Sequence, residues 1–290
     1  MEPAPRMTRI RLMLVGVVFV LGLCAALCAG LEALWLARFR QEQQPPAPEA
    51  EQPDAAQPEQ APAVKPRAAK RPPAEDQNTP EAKARRRMVD EQLRSRDITD
   101  SRVLEVMGRV GRHRFVPEGI RAQAYADHPL PIGLDQTISQ PYIVALMTQL
   151  ARPKPTDRAL DVGTGSGYQA AVLAELCKEV YSIEILKPLA DGARTRLEEL
   201  GYDNITVRCG DGYQGWPDKA PFDVILVAAA PDHVPKPLIE QLAPGGRLVI
   251  PVGSFYQELL LVEKQKDGSV RQESVIPVRF VPMTGKAQER

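Results

Sequence analysis

"ALDVGTGSGYQAAVLAEL", residues 159–176, is the stretch on which the fold turns. With Arg158 it opens as a short apolar run that reads as a buried strand ending at an acid, Asp161. Gly163, Gly165 and Gly167 follow at alternate positions, Thr164 lies between the first two, and an apolar helix pattern starts at Tyr168. Glycines at such a junction let the chain turn sharply and bring its backbone against a ligand. The dinucleotide fingerprint would need its third glycine three residues after the second, and that position holds Tyr168. A tyrosine there obstructs a pyrophosphate. Taken alone, the loop is also compatible with an ordinary tight turn.

Outward from this stretch, short apolar runs alternate with helix patterns. "EVYSIEI" (179–185), "ITVRCGDG" (205–212), "FDVILVAAA" (222–230) and "RLVIPVG" (247–253) read as strands. "PLADGARTRLEELG" (188–201) and "KPLIEQL" (236–242) read as helices. Strand–helix alternation implies parallel strands joined by right-handed crossovers, hence a doubly wound α/β sheet. Residues 257–281 close the globular part with an antiparallel hairpin around Asp267-Gly268. Upstream, residues 81–96, 101–110 (capped by Asp100 or Ser101) and 141–151 have helical patterns, the last opened by Pro141.

Two more acids fall at strand ends. Glu184 stands where a carboxylate can accept both hydroxyls of a ribose, and Asp211, followed by Gly212, where an acid can accept an adenine amino group. With Asp161 they mark three neighbouring strand ends. A glycine loop behind an acid, without room for a pyrophosphate, suits S-adenosylmethionine.

The remainder of the chain bounds the problem. Lys and Arg balance Asp and Glu at 37 each, so no global basic field points to nucleic acid. No metal-ligating cluster stands out, and Cys177 and Cys209 are isolated. Residues 12–31 are twenty consecutive residues without a charge, flanked by Arg6, Arg9 and Arg11 before and by Trp35, Arg38 and Arg40 after. Twenty helical residues span about 30 Å, the thickness of a bilayer core. Residues 1–40 are therefore expected to be a transmembrane anchor, with a cleaved signal peptide as the alternative. Residues 41–80 contain ten prolines among Gln, Ala and Glu, and are expected to be a disordered linker. Residues 81–290 are expected to form the catalytic domain.

"TISQP" (137–141) places Thr137 and Ser139 hydroxyls just ahead of a helix, with no histidine in a recognisable nucleophile–base motif. His113, His128 and His233 read as structural or surface residues. Together "RHRFVP", "LPIGLDQTISQPYIVALMTQL", "LDVGTGSGYQAAVLAEL", "VYSIEI", "GDGYQGW", "PFDVILVAAAP", "LAPGGRLVIPVG" and "VRFVP" resemble the protein-L-isoaspartate O-methyltransferase family, in family order, over the whole globular part. Residues 1–80 have no counterpart in that pattern.

The resemblance implies a Rossmann-like S-adenosylmethionine-dependent methyltransferase with N-terminal helices. It implies a repair enzyme that methylates the α-carboxylate of L-isoaspartyl residues in damaged proteins, after which the ester closes to a succinimide. Ser139 takes the place of the family's active-site serine, with Thr137 beside it. Asp161, Gly163, Thr164, Gly165 and Gly167 take the place of the cofactor motif, with Glu184 as ribose partner and Asp211 and Gly212 at the adenine. "VAAAP" (227–231) and "VRFVP" (278–282) are expected to line a peptide cleft. The rival readings are a methyltransferase of the same fold acting on a small molecule or RNA, and a membrane-tethered binding protein without activity.

Location divides the evidence of charge from that of supply. Arginines ahead of residues 12–31 mildly favour an internal N-terminus and a translocated domain. S-adenosylmethionine is kept in the cytoplasm. The expectation is a cytoplasmic catalytic domain tethered to the inner membrane, with a periplasmic or secreted domain as the alternative.

Overall fold

A computed structural model describes residues 78–289 of the chain. The expected anchor at 12–31 and nearly all of the expected linker lie outside the described residues. Among the described residues, no helix is long and apolar enough to cross a membrane.

Helix α1 (Pro80–Met88) starts on Thr79, whose hydroxyl accepts the Ala82 N–H, and continues as a π-helical stretch to Arg94. Helix α2 (Ser101–Arg109) is capped by Asp100, one of the two caps the sequence offered. A short hairpin follows, β1 (Leu130–Gly133) and β2 (Gln136–Ile138), leading into α3 (Pro141–Ala151). The main sheet then builds up as β3 (Arg158–Val162), α4 (Tyr168–Ala174), β4 (Glu179–Glu184), α5 (Lys187–Glu199), β5 (Ile205–Cys209), β6 (Phe222–Val227), α6 (Lys236–Glu240), β7 (Leu242–Val252), β8 (Gln257–Lys264) and β9 (Val270–Val278).

Strand order in the seven-stranded sheet is β5-β4-β3-β6-β7-β8-β9. The pairs from β5 to β7 are parallel, and β8 and β9 add antiparallel at one edge through the expected hairpin. The sheet is thus mixed. Chain order reverses between β3 and β6, and such a switch point leaves a crevice outside the strand C-termini where ligands bind.

Alternation along the strands sorts the core onto two faces. Ala159, Val180, Val224, Leu226 and Val249 pack against α1 to α5, with Leu146, Leu173 and Leu197 among the helix residues. Leu160, Val162, Ile225, Val227, Leu248 and Ile250 face the other way, under Leu238 of α6, Trp216 and Met283. The second cover is thin: a five-residue helix, short turns and the C-terminal segment. That thin side is where the C-terminal segment becomes part of the site.

Candidate active site

The glycine loop crosses the C-terminal end of β3. Gly163, Gly165 and Gly167 all have positive φ, at 91°, 52° and 91°, a region that costs other residues about 1 kcal/mol or more. Gly163 and Thr164 N–H groups donate to the Ile183 carbonyl, and the Gly165 N–H donates to Glu184 Oε2 at 2.8 Å. Glu184 Oε1 accepts the Leu186 N–H at 3.0 Å. The carboxylate therefore ties loop and strand end together, with lone pairs left for a ligand. Around it, Val162, Gly163, Gly165, Ile183, Glu184, Ile185 and Gly212 wall a cavity of about 110 Å³, closed on another side by Val281, Pro282, Met283 and Thr284. A Cβ on Gly212 would come within 2.4 Å of Val162 Cγ1, and one on Gly165 within 3.2 Å of Ile132 Cδ1. A backbone cradle of this kind, beside a carboxylate at a strand end, suits the ribose of a nucleoside such as that of S-adenosylmethionine, of which a cavity this size encloses only part.

Asp161, Thr164, Gly167 and Asp211 are not among the residues lining this cavity. Asp161 lies one residue before the end of β3 and faces the helix side with Ala159, fully buried. Its parallel neighbour Ser182 donates to Oδ2 at 2.7 Å and shares a 2.6 Å hydrogen bond with Thr164 Oγ1, while Oδ1 has no hydrogen-bond partner among the described residues. The three side chains brace the loop from beneath. Gly167 opens α4, where a Cβ would sit 3.2 Å from Leu197 Cδ1.

Burial pushes the Asp161 carboxyl up to about 7; the Ser182 hydrogen bond opposes the rise and the Glu184 charge adds to it. An acid with a folded pKa above its unfolded value of about 4 binds more protons folded than unfolded between those pH values, so stability falls as pH rises through the window. Asp161→Asn removes the charge at nearly constant shape. The variant is expected to lose this downward slope between pH 4 and 7 and to exceed the parent at pH 8 by at most a few kcal/mol. Thermal melts across pH test this, and a variant less stable than the parent at pH 8 would show that the ionised carboxylate stabilises the loop.

Asp211 holds the C-terminal segment. Its Oδ1 accepts the Tyr213 N–H at 3.0 Å and its Oδ2 the Lys286 N–H at 2.9 Å. Pro282 pairs with Ala230 through two backbone hydrogen bonds, from Ala230 to Val281 and from Met283 to Ala230. Residues 281–286 are thereby strapped across the end of the sheet.

Beside the cavity lies an open cleft of about 760 Å³. It is lined by Pro129, Thr137, Ser139, Gln140, Ile143, Ala228 and the run from Pro277 to Pro282. Thr137 is exposed and stands on β2, not on the helix; Ser139 is half-buried, two residues ahead of Pro141. Neither hydroxyl has a hydrogen-bond partner among the described residues. Cavity and cleft share four residues: Thr137, Ala228, Val281 and Pro282. Residues 278–282 all line the cleft as expected, but of 227–231 only Ala228 does: Ala229 faces the cavity, and Val227 and Ala230 are buried in the core. Arg279, exposed, adds a positive charge to the cleft lining.

None of the three histidines lines either space. His113 shares a 2.7 Å hydrogen bond with Tyr125, His128 is exposed, and His233 bridges Asp232 and Tyr213 at the surface. Among the described residues no group of His, Cys, Asp or Glu is placed to hold a metal. Gln136, Ile185, Leu186, Met283 and Thr284 also line the cavity and were not singled out in the sequence, where nothing sets them apart from ordinary strand and turn residues.

Similarity to other proteins agrees with this geometry. The family model described as protein-L-isoaspartate(D-aspartate) O-methyltransferase matches residues 83–288. Protein-L-isoaspartate O-methyltransferase 2 of Polaromonas sp. is 60% identical over 189 residues, covering 64% of this chain and 90% of that protein. The protein-L-isoaspartate O-methyltransferase of Opitutus terrae is 61% identical over 202 residues, 69% of this chain and 86% of that one. A solved structure of a putative Plasmodium falciparum protein-L-isoaspartate O-methyltransferase, in complex with S-adenosyl-L-homocysteine, superposes with a TM-score of 0.61 at 27% identity, covering 69% of this chain and 98% of that one. From α1 to the turn beyond the strap, the chain belongs to the protein-L-isoaspartate(D-aspartate) O-methyltransferase family.

Proposed function

We propose that this chain transfers a methyl group from S-adenosylmethionine to the α-carboxylate of L-isoaspartyl residues in damaged proteins, the first step of their repair. The observation that carries the reading is the wall shared by the nucleoside cavity and the open cleft at Thr137, Ala228, Val281 and Pro282. A donor held in one space and a polypeptide held in the other meet there.

When bound, S-adenosylmethionine would supply a sulfonium methyl to the carboxylate oxygen, its sulfur leaving with the electron pair of the carbon–sulfur bond. Gly163, Gly165 and Gly212 would present backbone to it, and Glu184 would accept its ribose hydroxyls. Asp161, Thr164 and Gly167 hold the loop in shape, and Asp211 fixes the turn that carries Gly212. A substrate carboxylate, with a pKa of about 4, arrives ionised at neutral pH, so no proton has to be removed. This is consistent with histidines that stay outside the site. The chain's task is alignment: reacting atoms held about 3 to 3.5 Å apart. Thr137 and Ser139 donate neutral hydrogen bonds that orient the carboxylate without quenching its nucleophilic oxygen as a direct arginine fork would.

The test is methyl transfer by the full chain to matched peptides that differ only in one isoaspartyl or aspartyl linkage. Transfer confined to the isoaspartyl peptide supports the reading. Equal transfer to both, or to neither, overturns it.

For residues 12–31 the reading is a membrane anchor, and for 41–80 a tether, with the catalytic domain on the cytoplasmic face where the methyl donor is made. The uncharged run and its flanking arginines support the anchor, and cofactor supply supports the face. Digestion of the domain by protease added outside intact cells would place it on the other side.

A further inference from the structure

We propose that Phe255 and Tyr256, at the turn between β7 and β8, dock an apolar side chain of the damaged polypeptide a few residues from its isoaspartyl linkage. This rests on the isoaspartyl reading and adds a determinant of which damaged segments are taken.

The two rings are the most exposed large hydrophobic side chains among the described residues, at 107% and 69%. Single exposed apolar side chains are ordinary, but adjacent aromatics on a braced turn form a patch. The turn is fixed at both ends. Gly253, at φ 126°, donates its N–H to the Pro231 carbonyl at 2.9 Å. It packs so closely that a Cβ there would lie 2.0 Å from the Tyr256 carbonyl oxygen. On the far side the buried Gln257 side chain clasps the Phe280 backbone: Oε1 accepts the N–H at 2.6 Å and Nε2 donates to the carbonyl at 3.1 Å. Phe280 lines the cleft that holds Ser139. The turn that carries the aromatic pair is therefore fastened to the cleft wall by the residue that follows Tyr256.

The chemistry of the occupant follows from the cleft. Its lining includes Pro129, Ile143, Pro277, Val278 and Phe280. A polypeptide that lies extended in an open cleft has lost its local fold, so it exposes side chains that a core would bury. Aromatic rings on a turn fastened to the cleft wall offer such a side chain a partner at low entropic cost.

The experiment compares isoaspartyl peptides carrying either leucine or serine at each of the positions two to five residues on either side of the linkage. The proteins are the full chain and its Phe255→Ser/Tyr256→Ser variant. The parent is expected to prefer leucine at one of these positions by about tenfold in KM, and the variant to lose that preference while keeping its kcat and its affinity for S-adenosylmethionine. Phe255→Leu, which keeps an apolar surface, should retain most of the preference, which separates docking from a disturbed turn. A parent with no leucine preference, or a preference equal in parent and variant, overturns the proposal even though isoaspartyl transfer persists. Absence of transfer from the parent would instead strike the isoaspartyl reading itself, and the docking proposal with it.

Discussion

Replacing Glu184 by alanine is expected to weaken S-adenosylmethionine binding by about two to four orders of magnitude, the loss of two charge-assisted hydrogen bonds worth roughly 1.5 to 3 kcal/mol each. The carboxylate sits at the end of β4, 6% exposed, with each oxygen already accepting one backbone N–H, from Gly165 and from Leu186. Those bonds hold both oxygens toward the cavity, where two ribose hydroxyls can donate to the lone pairs that remain. Alanine removes the ribose contacts and leaves the Gly165 and Leu186 donors without their acceptor, so the glycine loop loosens as well. Glu184→Gln keeps an acceptor for only one of the two backbone donors and is expected to fall between parent and alanine. Titration calorimetry with S-adenosylmethionine measures the effect. An unchanged Kd in a folded Glu184→Ala protein would remove this side chain from the cofactor's contacts.

Ser139→Ala is expected to lower kcat/KM for an isoaspartyl peptide by about a hundredfold, the scale at which small misplacements of reacting groups act, and to leave affinity for S-adenosylmethionine nearly intact. Ser139 lines the cleft and not the nucleoside cavity, which separates the two readouts. It does not cap α3, whose N-cap is Gln140 without a side-chain hydrogen bond. Stability should therefore change by no more than about 0.5 kcal/mol, as for a surface substitution. The hydroxyl is asked only to aim an oxygen that is already nucleophilic. No covalent adduct on Ser139 should form during turnover, and mass spectrometry of the working enzyme would detect one. Parent-like kcat/KM in the alanine variant would transfer the aiming role to Thr137 or to backbone.

Much of the sheet could be read from the chain because its strands are buried on both faces and bounded by glycine, proline or a helix pattern. Helix α3 runs over the residues expected of it because Pro141 marks its first turn. The hairpin of β1 and β2 was not legible. Its turn residues are Leu134 and Asp135, both at positive φ, where a leucine gives no signal of a tight turn. Reading Thr137 as part of a helix entry followed from missing that strand. The three acids looked equivalent in sequence, since each stands near a strand end. Depth at the strand end decides between them: Glu184, the last residue of β4, reaches the cavity, Asp161 stops one residue short of the end of β3 and is buried beneath the loop against Ser182, and Asp211 is taken up by the Tyr213 and Lys286 amides. Strand-end position is local information, whereas the partner of Asp211 lies 75 residues away.

The strap of residues 281–286 has a consequence for how the enzyme comes into being on the ribosome. Both hollows borrow a wall from Val281 and Pro282, and the fastening to Asp211 is made by Lys286. A growing chain can form α1 to α5 and pair its parallel strands well before these residues emerge from the exit tunnel. Competence for chemistry is then the final property acquired during synthesis, so truncated translation products that stop short of residue 281 would carry the sheet but neither complete hollow.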